Sequence, residues 1–164
     1  TPENKSFCGL CSRLRRGILY NYAEEKSFTK IALGHHRDDL NETLMMNLFF
    51  AGKLASMPPK LKSRDSRNVV IRPMSYVAEE LLIKYSKELR FPIIPCNLCG
   101  SQDNMRRQQV KALLTKLSGT IPDVDASILN AQKNVKASLL LDSDLWNFED
   151  IQEVDKEQML EIRR

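Results

Sequence analysis

Glycine is scarce in this sequence, and long apolar runs are absent. Only six of the 164 residues are glycine, and they are too widely spaced to form a loop that wraps a phosphate group in backbone N–H groups. The longest apolar stretches, such as LMM and SLLL, are far shorter than the roughly 20 residues of a membrane-spanning helix. We therefore expect a soluble domain, with no membrane partner and no glycine-rich phosphate loop in these residues.

Cysteine is also scarce, but the four cysteines form two C-x-x-C pairs, FCGLC near the start and PCNLCG much later. The first residues lack the charged, apolar and small-residue regions of a secretory leader, so we expect a cytoplasmic location. In a reducing compartment such pairs favour metal or redox chemistry over structural disulfides. Four thiolates would suit a closed zinc site, although the 84 residues between the pairs exceed the spacing of a compact zinc ribbon.

Basic residues outnumber acidic ones by four and are concentrated in three stretches. These stretches contain Arg13, Arg15 and Arg16; Lys53, Lys60, Lys62, Arg64 and Arg67; and Arg106, Arg107 and Lys111. Solvated helix faces explain such runs in many proteins. A polyanionic partner such as RNA is the functional alternative, and the clustering favours it without deciding between the two.

Hydrophobic periodicity predicts alternating helices and strands. An apolar stripe marks a helix that runs to about Glu25, formed by Leu10, Leu14, Ile18 and Tyr22. The further predicted elements are a strand at 30–34, a helix from Asp39, a loop or hairpin at 51–68, a strand at 69–72, a helix at 77–89, a strand at 91–95, and helices at about 102–118 and 122–135. Such alternation is typical of an α/β fold with a parallel sheet flanked by helices.

Unusual polar residues follow directly on the first predicted strand, KIALG; they are His35, His36, Arg37, Asp38 and Asp39. Functional sites in such sheets are expected at the carboxyl ends of strands. A capping box between Asp39 and Glu42 explains Asp39 as part of a helix start. It leaves Asp38 and His35 unexplained, because two carboxylates crowded beside an imidazole repel each other unless a bound Mg²⁺ or a polarised substrate relieves the repulsion. The segment therefore favours a nucleotide and metal site.

Five motifs occur together in this chain: CGLCSRLRRGIL, LGHHRDD, MPPKL, VVIRPM and PIIPCNLCGSQ. In this combination they resemble the PP-loop ATP pyrophosphatase family of tRNA thiolation enzymes, over nearly the whole chain to about Phe148. The resemblance implies a Rossmann-like adenine nucleotide alpha hydrolase fold. It also implies ATP-dependent adenylation of a cytidine in the tRNA anticodon loop and replacement of its 2-oxo oxygen by sulfur. The implied cofactors and partners are a [4Fe-4S] cluster, ATP, Mg²⁺, tRNA, a sulfide donor such as a cysteine desulfurase, and a second copy of the chain in a homodimer.

Carried over to this chain, the resemblance implies that three cysteines hold the cluster, namely Cys8, Cys11 and Cys99. Cys96 is then the odd one out, a choice that composition alone does not make. By analogy with catalytic zinc, three protein ligands leave one coordination position open, to which exogenous sulfide can bind.

The same resemblance implies four residues at the ATP and Mg²⁺ site: Gly34, His35, Asp38 and Asp39. Gly34 would allow a close approach of the adenylate to the strand end, and Arg15 or Arg16 would hold phosphate or tRNA backbone. We expect Asp38 and Arg15 to act in catalysis, since capping already explains Asp39.

The chain departs from the family in one respect, because the S-G-G-K-D-S phosphate loop is absent from it. We expect residues 1–148 to be the C-terminal portion of a PP-loop domain without its N-terminal strands, and residues 149–164 to be an acidic helix or tail. Three alternatives stay open. They are a thiolase acting on uridine, a zinc-dependent RNA-binding module without catalysis, and a ferredoxin-like electron carrier.

Overall fold

The computed structural model describes residues 7–63, 65–93 and 102–151, and within the helices it describes side chains from residue 10 and from residue 105 onward. The chain divides into two compact units, Thr1–Leu129 and Asn130–Arg164. The expected boundary near residue 148 stays a prediction, because residues 152–164 lie outside the described part. No helix within the described residues is both long and apolar enough to cross a membrane.

Helices and strands alternate in the first part of the first unit, as the periodicity predicts, whereas three described helices follow the last described strand. Their bounds are α1 Phe7–Glu25, β1 Lys30–Ala32, α2 Arg37–Ala51, β2 Lys60–Lys62, β3 Val69–Ile71, α3 Glu79–Glu88, α4 Gln102–Ser118 and α5 Val124–Ala131. A short 3₁₀ helix, Ala137–Leu139, lies in the second unit. The predicted ends of α1 and α4 agree with the structure to within a residue.

The described strands form one three-stranded sheet in the order β1-β3-β2. β1 pairs in parallel with β3, with Ile31 opposite Val70, and α2 lies between these strands in the chain as the helix of the crossover. β2 pairs with β3 in the antiparallel direction, with Leu61 opposite Val70. The sheet is therefore mixed, and its antiparallel edge strand comes from the segment predicted as a loop or hairpin.

The prediction of a strand at 91–95 is wrong for the part that the structure describes. Residues 91–93 have no regular structure, and residues 94 and 95 lie outside the described residues. Arg90 has a φ of 51°, and the N–H of Phe91 donates to Ser86 O at 3.0 Å. The segment thus begins by satisfying the carbonyl groups at the end of α3, as chains commonly do where a helix stops.

The apolar stripe of α1 predicts the helix correctly but not its environment. Leu10, Leu14, Ile18 and Tyr22 are 43 to 70% exposed. Among the described residues of α1, only Ala23 is buried. The buried apolar side chains instead lie mostly in β1, α2, β3, α4 and α5; they are Ile31, Leu40, Val70, Val110, Leu114 and Leu129.

Candidate functional site

The segment from Gly34 to Asp39 connects the carboxyl end of β1 to the first turn of α2. His36 is the N-cap residue, with an extended backbone, and Arg37 is the first helical residue. The N–H of His36 donates to Asp39 Oδ2 at 3.1 Å, and Nε2 of its ring lies 3.3 Å from the same oxygen. The capping box therefore joins residues 36 and 39, and the predicted box between Asp39 and Glu42 is wrong because α2 begins two residues earlier than expected.

Asp38 belongs to the first turn of α2, and its side chain caps the start of another helix, α3. Its Oδ2 accepts the N–H of Glu79, the first residue of α3, at 2.8 Å, where free N–H groups and the helix dipole favour a negative charge. Its Oδ1 accepts from Arg37 Nη2 at 3.3 Å. The protein itself thus compensates the charge that the sequence assigned to a bound cation or substrate.

Arg107, on α4, pairs with two carboxylates of α2. Its Nη1 lies 3.3 Å from Asp39 Oδ1 and 3.2 Å from Glu42 Oε2. The Glu42 side chain is only 7% exposed. Burial raises the pKa of the Glu42 carboxyl above its ordinary value, and the charges of Arg107 and Lys111 lower it in part.

A small cleft of about 80 Å³ opens beside this ion-pair cluster, and it is lined by Asp38, Glu42, Glu79, Lys111, Leu114, Thr115, Ser118 and Asp125. Lys111 Nζ donates to both oxygens of Glu79, at 2.6 and 2.8 Å, and this bonding raises the Lys111 pKa. At the other end of the cleft, Asn41 Nδ2 donates to the backbone carbonyl of Asp125 at 2.9 Å. Ser118 Oγ donates to the carboxylate of the same residue at 2.8 Å. The cleft wall is therefore held by paired groups from four helices.

His35 is half-buried at the carboxyl end of β1. Its Nδ1 is buried and has no hydrogen-bond partner among the described residues. Burial is the main cause that lowers the His35 pKa below its ordinary value, and the charge of Arg72 adds to it. Burial thus favours the neutral form of the imidazole, and its Nδ1 is a buried nitrogen without a protein partner among the described residues.

Gly34 is exposed, and a Cβ placed on it would lie 3.5 Å from Met74 Cε. This is an ordinary contact, so packing within the described residues permits a small side chain there. The close approach of a nucleotide at Gly34 stays a prediction.

The first cysteine pair lies on α1, with Cys8 and Cys11 one helical turn apart. Positions three apart in a helix lie on the same face. Cys11 is half-buried and forms no disulfide within the described residues. The side chain of Cys8 and all of Cys96 and Cys99 lie outside the described residues, so the three-cysteine ligand set stays a prediction.

The structure does not bring every predicted site residue to the strand end. Arg15 is exposed on α1, and no hydrogen bond or ion pair of the described residues links it to the segment from Gly34 to Asp39. No group of three or more potential metal ligands occurs in the described part of the chain. The roles of Arg15 and of a Mg²⁺ ion stay predictions.

Three charged residues at this site were not predicted for it. Arg107 and Lys111 were noted only as members of a basic stretch, and Glu79 was part of a predicted helix. Their spacing held a usable signal, because residues four apart on a helix share one face. Two cations on one face of α4 would be compatible with acidic partners, but their spacing does not say which residues these are.

An α/β unit with parallel strands and polar residues gathered at their carboxyl edge is typical of nucleotide-binding folds. The chain belongs to the PP-loop domain family, whose model matches residues 9–115. The family resemblance and the PP-loop α/β fold predicted from the motifs are thereby confirmed.

Curated relatives resemble nearly all of the chain. The tRNA-cytidine(32) 2-sulfurtransferase of Coxiella burnetii (strain CbuG_Q212) is 56% identical over 150 residues, 92% of this chain and 59% of the relative. Proteins of the same name from Legionella pneumophila (strain Corby) and Bdellovibrio bacteriovorus are each 52% identical, over 93% and 91% of this chain and 54% and 58% of the relatives. The chain thus spans less than two thirds of the length of these relatives.

A solved structure with a similar fold is the U34-tRNA thiolase NcsA from Methanococcus maripaludis, with its [4Fe-4S] cluster. It superposes with a TM-score of 0.61 over 93% of this chain and 47% of that chain, at 21% sequence identity. At this identity the likeness concerns the fold alone.

Proposed function

We propose that this chain forms part of an ATP-dependent enzyme that replaces the 2-oxo oxygen of cytidine 32 in tRNA with sulfur. The observation that carries the proposal is the 56% identity, across 92% of the chain, to a protein named for this activity. The strand-end segment and the C-x-x-C pair on α1 agree with it, because the reaction needs a nucleotide site and a place to hold sulfur.

The need for ATP follows from the chemistry of the pyrimidine ring. The oxygen on C2 is a poor leaving group, and transfer of AMP from ATP to that oxygen, with release of pyrophosphate, converts it into a good one. A sulfur nucleophile then adds to C2, and AMP departs with the oxygen. The order of events is therefore adenylation first and sulfur transfer second.

The strand-end residues suit the first of these steps. His35, whose Nδ1 has no partner among the described residues, would hydrogen-bond the nucleotide. Asp38 lines the cleft wall, where its carboxylate also fixes the start of α3. Mg²⁺ would accompany ATP, and Arg15 would contact phosphate or tRNA backbone.

Cys8, Cys11 and Cys99 would hold the cluster. When bound, a cluster with three protein ligands supplies one coordination position that no thiolate of the chain occupies, where sulfur can be carried. The helical spacing of Cys8 and Cys11 supports this assignment. Sulfide would come from a donor such as a cysteine desulfurase, and we propose a cytoplasmic homodimer as the working form.

The test is a thiolation assay on the full-length gene product, reconstituted anaerobically with iron and sulfide. Nucleosides from the treated tRNA are separated and identified by mass. We expect a brown protein with iron and sulfide in a cluster ratio, and 2-thiocytidine that appears only with ATP. Formation of 2-thiouridine alone would favour the uridine thiolase, and a colourless zinc protein without activity would favour the RNA-binding module.

A further inference from the structure

Arg107 reaches the strand-end segment from a helix that lies 68 residues further along the chain. Its Nη1 donates to Asp39 Oδ1 at 3.3 Å. The other oxygen of Asp39 accepts the backbone N–H of His36 at 3.1 Å. Asp39 thus connects the Arg107 guanidinium to the backbone of the segment that leaves β1.

Glu42 restricts where that guanidinium can lie. The Arg107 side chain is 41% exposed, whereas the Glu42 side chain is only 7% exposed. A buried carboxylate without a cation is costly, so the pair with Glu42 holds Arg107 against α2. An arginine paired with an exposed carboxylate alone would be much less fixed.

We propose that Arg107 is a positioning residue of the strand-end site, which holds Asp39 and through it the backbone at His36. Helix α4, which carries Arg107, begins at Gln102, three residues after the candidate cluster ligand Cys99. The same helix is therefore joined by a short piece of chain to one candidate site and by Arg107 to the other. The consequence for catalysis rests on the proposed function, whereas the restraint on His36 does not.

Amide hydrogen exchange, followed by NMR on the folded chain, tests the restraint directly. The variant Arg107→Met retains an unbranched apolar side chain and loses the charge and the donors. We expect the His36 amide to exchange about tenfold faster, which corresponds to about 1.4 kcal/mol. The Leu33 amide, which donates to Ile71 O beside the β1–β3 pair at 2.9 Å, should change little, because local opening affects only the groups it exposes.

Two further variants sharpen the test. Arg107→Lys should restore part of the protection at His36, since one Nη atom makes both contacts and an ammonium group can replace it. Arg106→Met is the matched control, because Arg106 lies instead over the Phe50 ring at 5.0 Å, and it should leave His36 unchanged. Unchanged exchange at His36 in Arg107→Met, or equal acceleration at His36 and Leu33, would overturn the proposal.

Steady-state kinetics of the full-length gene product test the consequence for catalysis. Arg107→Met should lower kcat for thiolation about tenfold, since small displacements of reacting groups have effects of at least this size. The cluster iron content should stay at the wild-type level, and Arg106→Met, which removes the same charge from the same basic stretch, should retain the wild-type kcat. A wild-type protein without thiolation activity would refute the proposed function, and the exchange result would still decide the role of Arg107.

Discussion

The carboxyl end of β1 and the helix α1 differ in whether their side chains have partners within the described residues. At the strand end, Asp38, Asp39 and Glu42 are paired with cations or with the N-terminus of a helix. On α1, the apolar stripe is exposed to solvent. The sequence predicts the opposite, namely crowded carboxylates in need of a ligand and a helix with a buried face.

A local sequence pattern therefore defines a helix or strand but not the partners of its side chains. The partner of Asp38 is the backbone of a residue 41 positions away, and the partner of Glu42 is 65 positions away. Neither can be read from a motif of six residues. The charges of such a motif are therefore evidence for a ligand only after the protein's own counter-charges are known.

The largest effect expected on α1 is the loss of the cluster. In the full-length gene product, Cys8→Ser, Cys11→Ser and Cys99→Ser should each lose both iron and thiolation activity, because two thiolates hold a cubane poorly and exposed sulfur oxidises. Cys96→Ser should retain both. The measurements are iron content, visible absorption and tRNA thiolation after anaerobic reconstitution. Equal loss in all four variants would contradict the three-cysteine assignment and favour a closed metal site.

Asp38 offers the next largest effect, because its capping role and its charge can be separated. Asparagine also accepts a hydrogen bond at a helix start, so Asp38→Asn should fold with nearly wild-type stability and lose thiolation. Asp38→Ala should lose the cap as well, at a cost of about 1 kcal/mol. Thermal unfolding and thiolation assays on both variants distinguish the two roles. An active Asp38→Asn protein would show that Asp38 serves only to fix α3.

Much of the fold follows from the sequence because its determinants are local. The stripe from Leu10 to Tyr22 predicts α1, and the apolar run at 69–72 predicts β3. The antiparallel direction of β2 does not follow, since it depends on a turn closed by Ser63 and Asn68, whose backbones pair at 2.8 Å.

The candidate site follows from the sequence only in part. Its place at the end of β1 is predictable, because strand ends collect functional groups in such sheets. The capping box was misplaced by three residues because several short polar residues in a row each suit a helix start. The contribution of α4 was not predictable, since α4 packs on α2 across a long stretch of intervening chain.

Removal of Arg107 should have a moderate effect on stability, and one that depends on pH. Burial raises the Glu42 pKa, so the protonated form is favoured in the folded state. The contribution of Glu42 to stability is therefore greatest below its ordinary pKa of 4.5 and is lost as the pH rises through the folded-state pKa. Asp39, Glu79 and Lys111 also act on Glu42 and remain in the variant.

Without Arg107 the Glu42 pKa rises further. The stability contribution of Glu42 is then lost over a pH range that extends to higher pH. Arg107→Met should therefore cost about 2 kcal/mol near pH 7 and clearly less near about pH 5. Urea unfolding of the 164-residue chain at the two pH values measures this. In a Glu42→Gln background the pH dependence of the effect should become clearly smaller, and the part that remains belongs to His35, whose pKa the charge of Arg107 also lowers. A cost that is the same at both pH values would mean that packing, and not charge, explains the contact.

The smallest effect on stability is expected for substitutions in the exposed apolar stripe of α1. Ile18 is 70% exposed, so Ile18→Gln should change the free energy of unfolding of this chain by less than about 0.5 kcal/mol. Leu40, 3% exposed on α2, is the matched control, and Leu40→Ala should cost about 2–5 kcal/mol. A large loss in Ile18→Gln would show that the stripe is buried in solution. The same pair of variants in the full-length gene product then asks whether other residues cover the stripe there, since only a covered Ile18 loses apolar contacts on substitution.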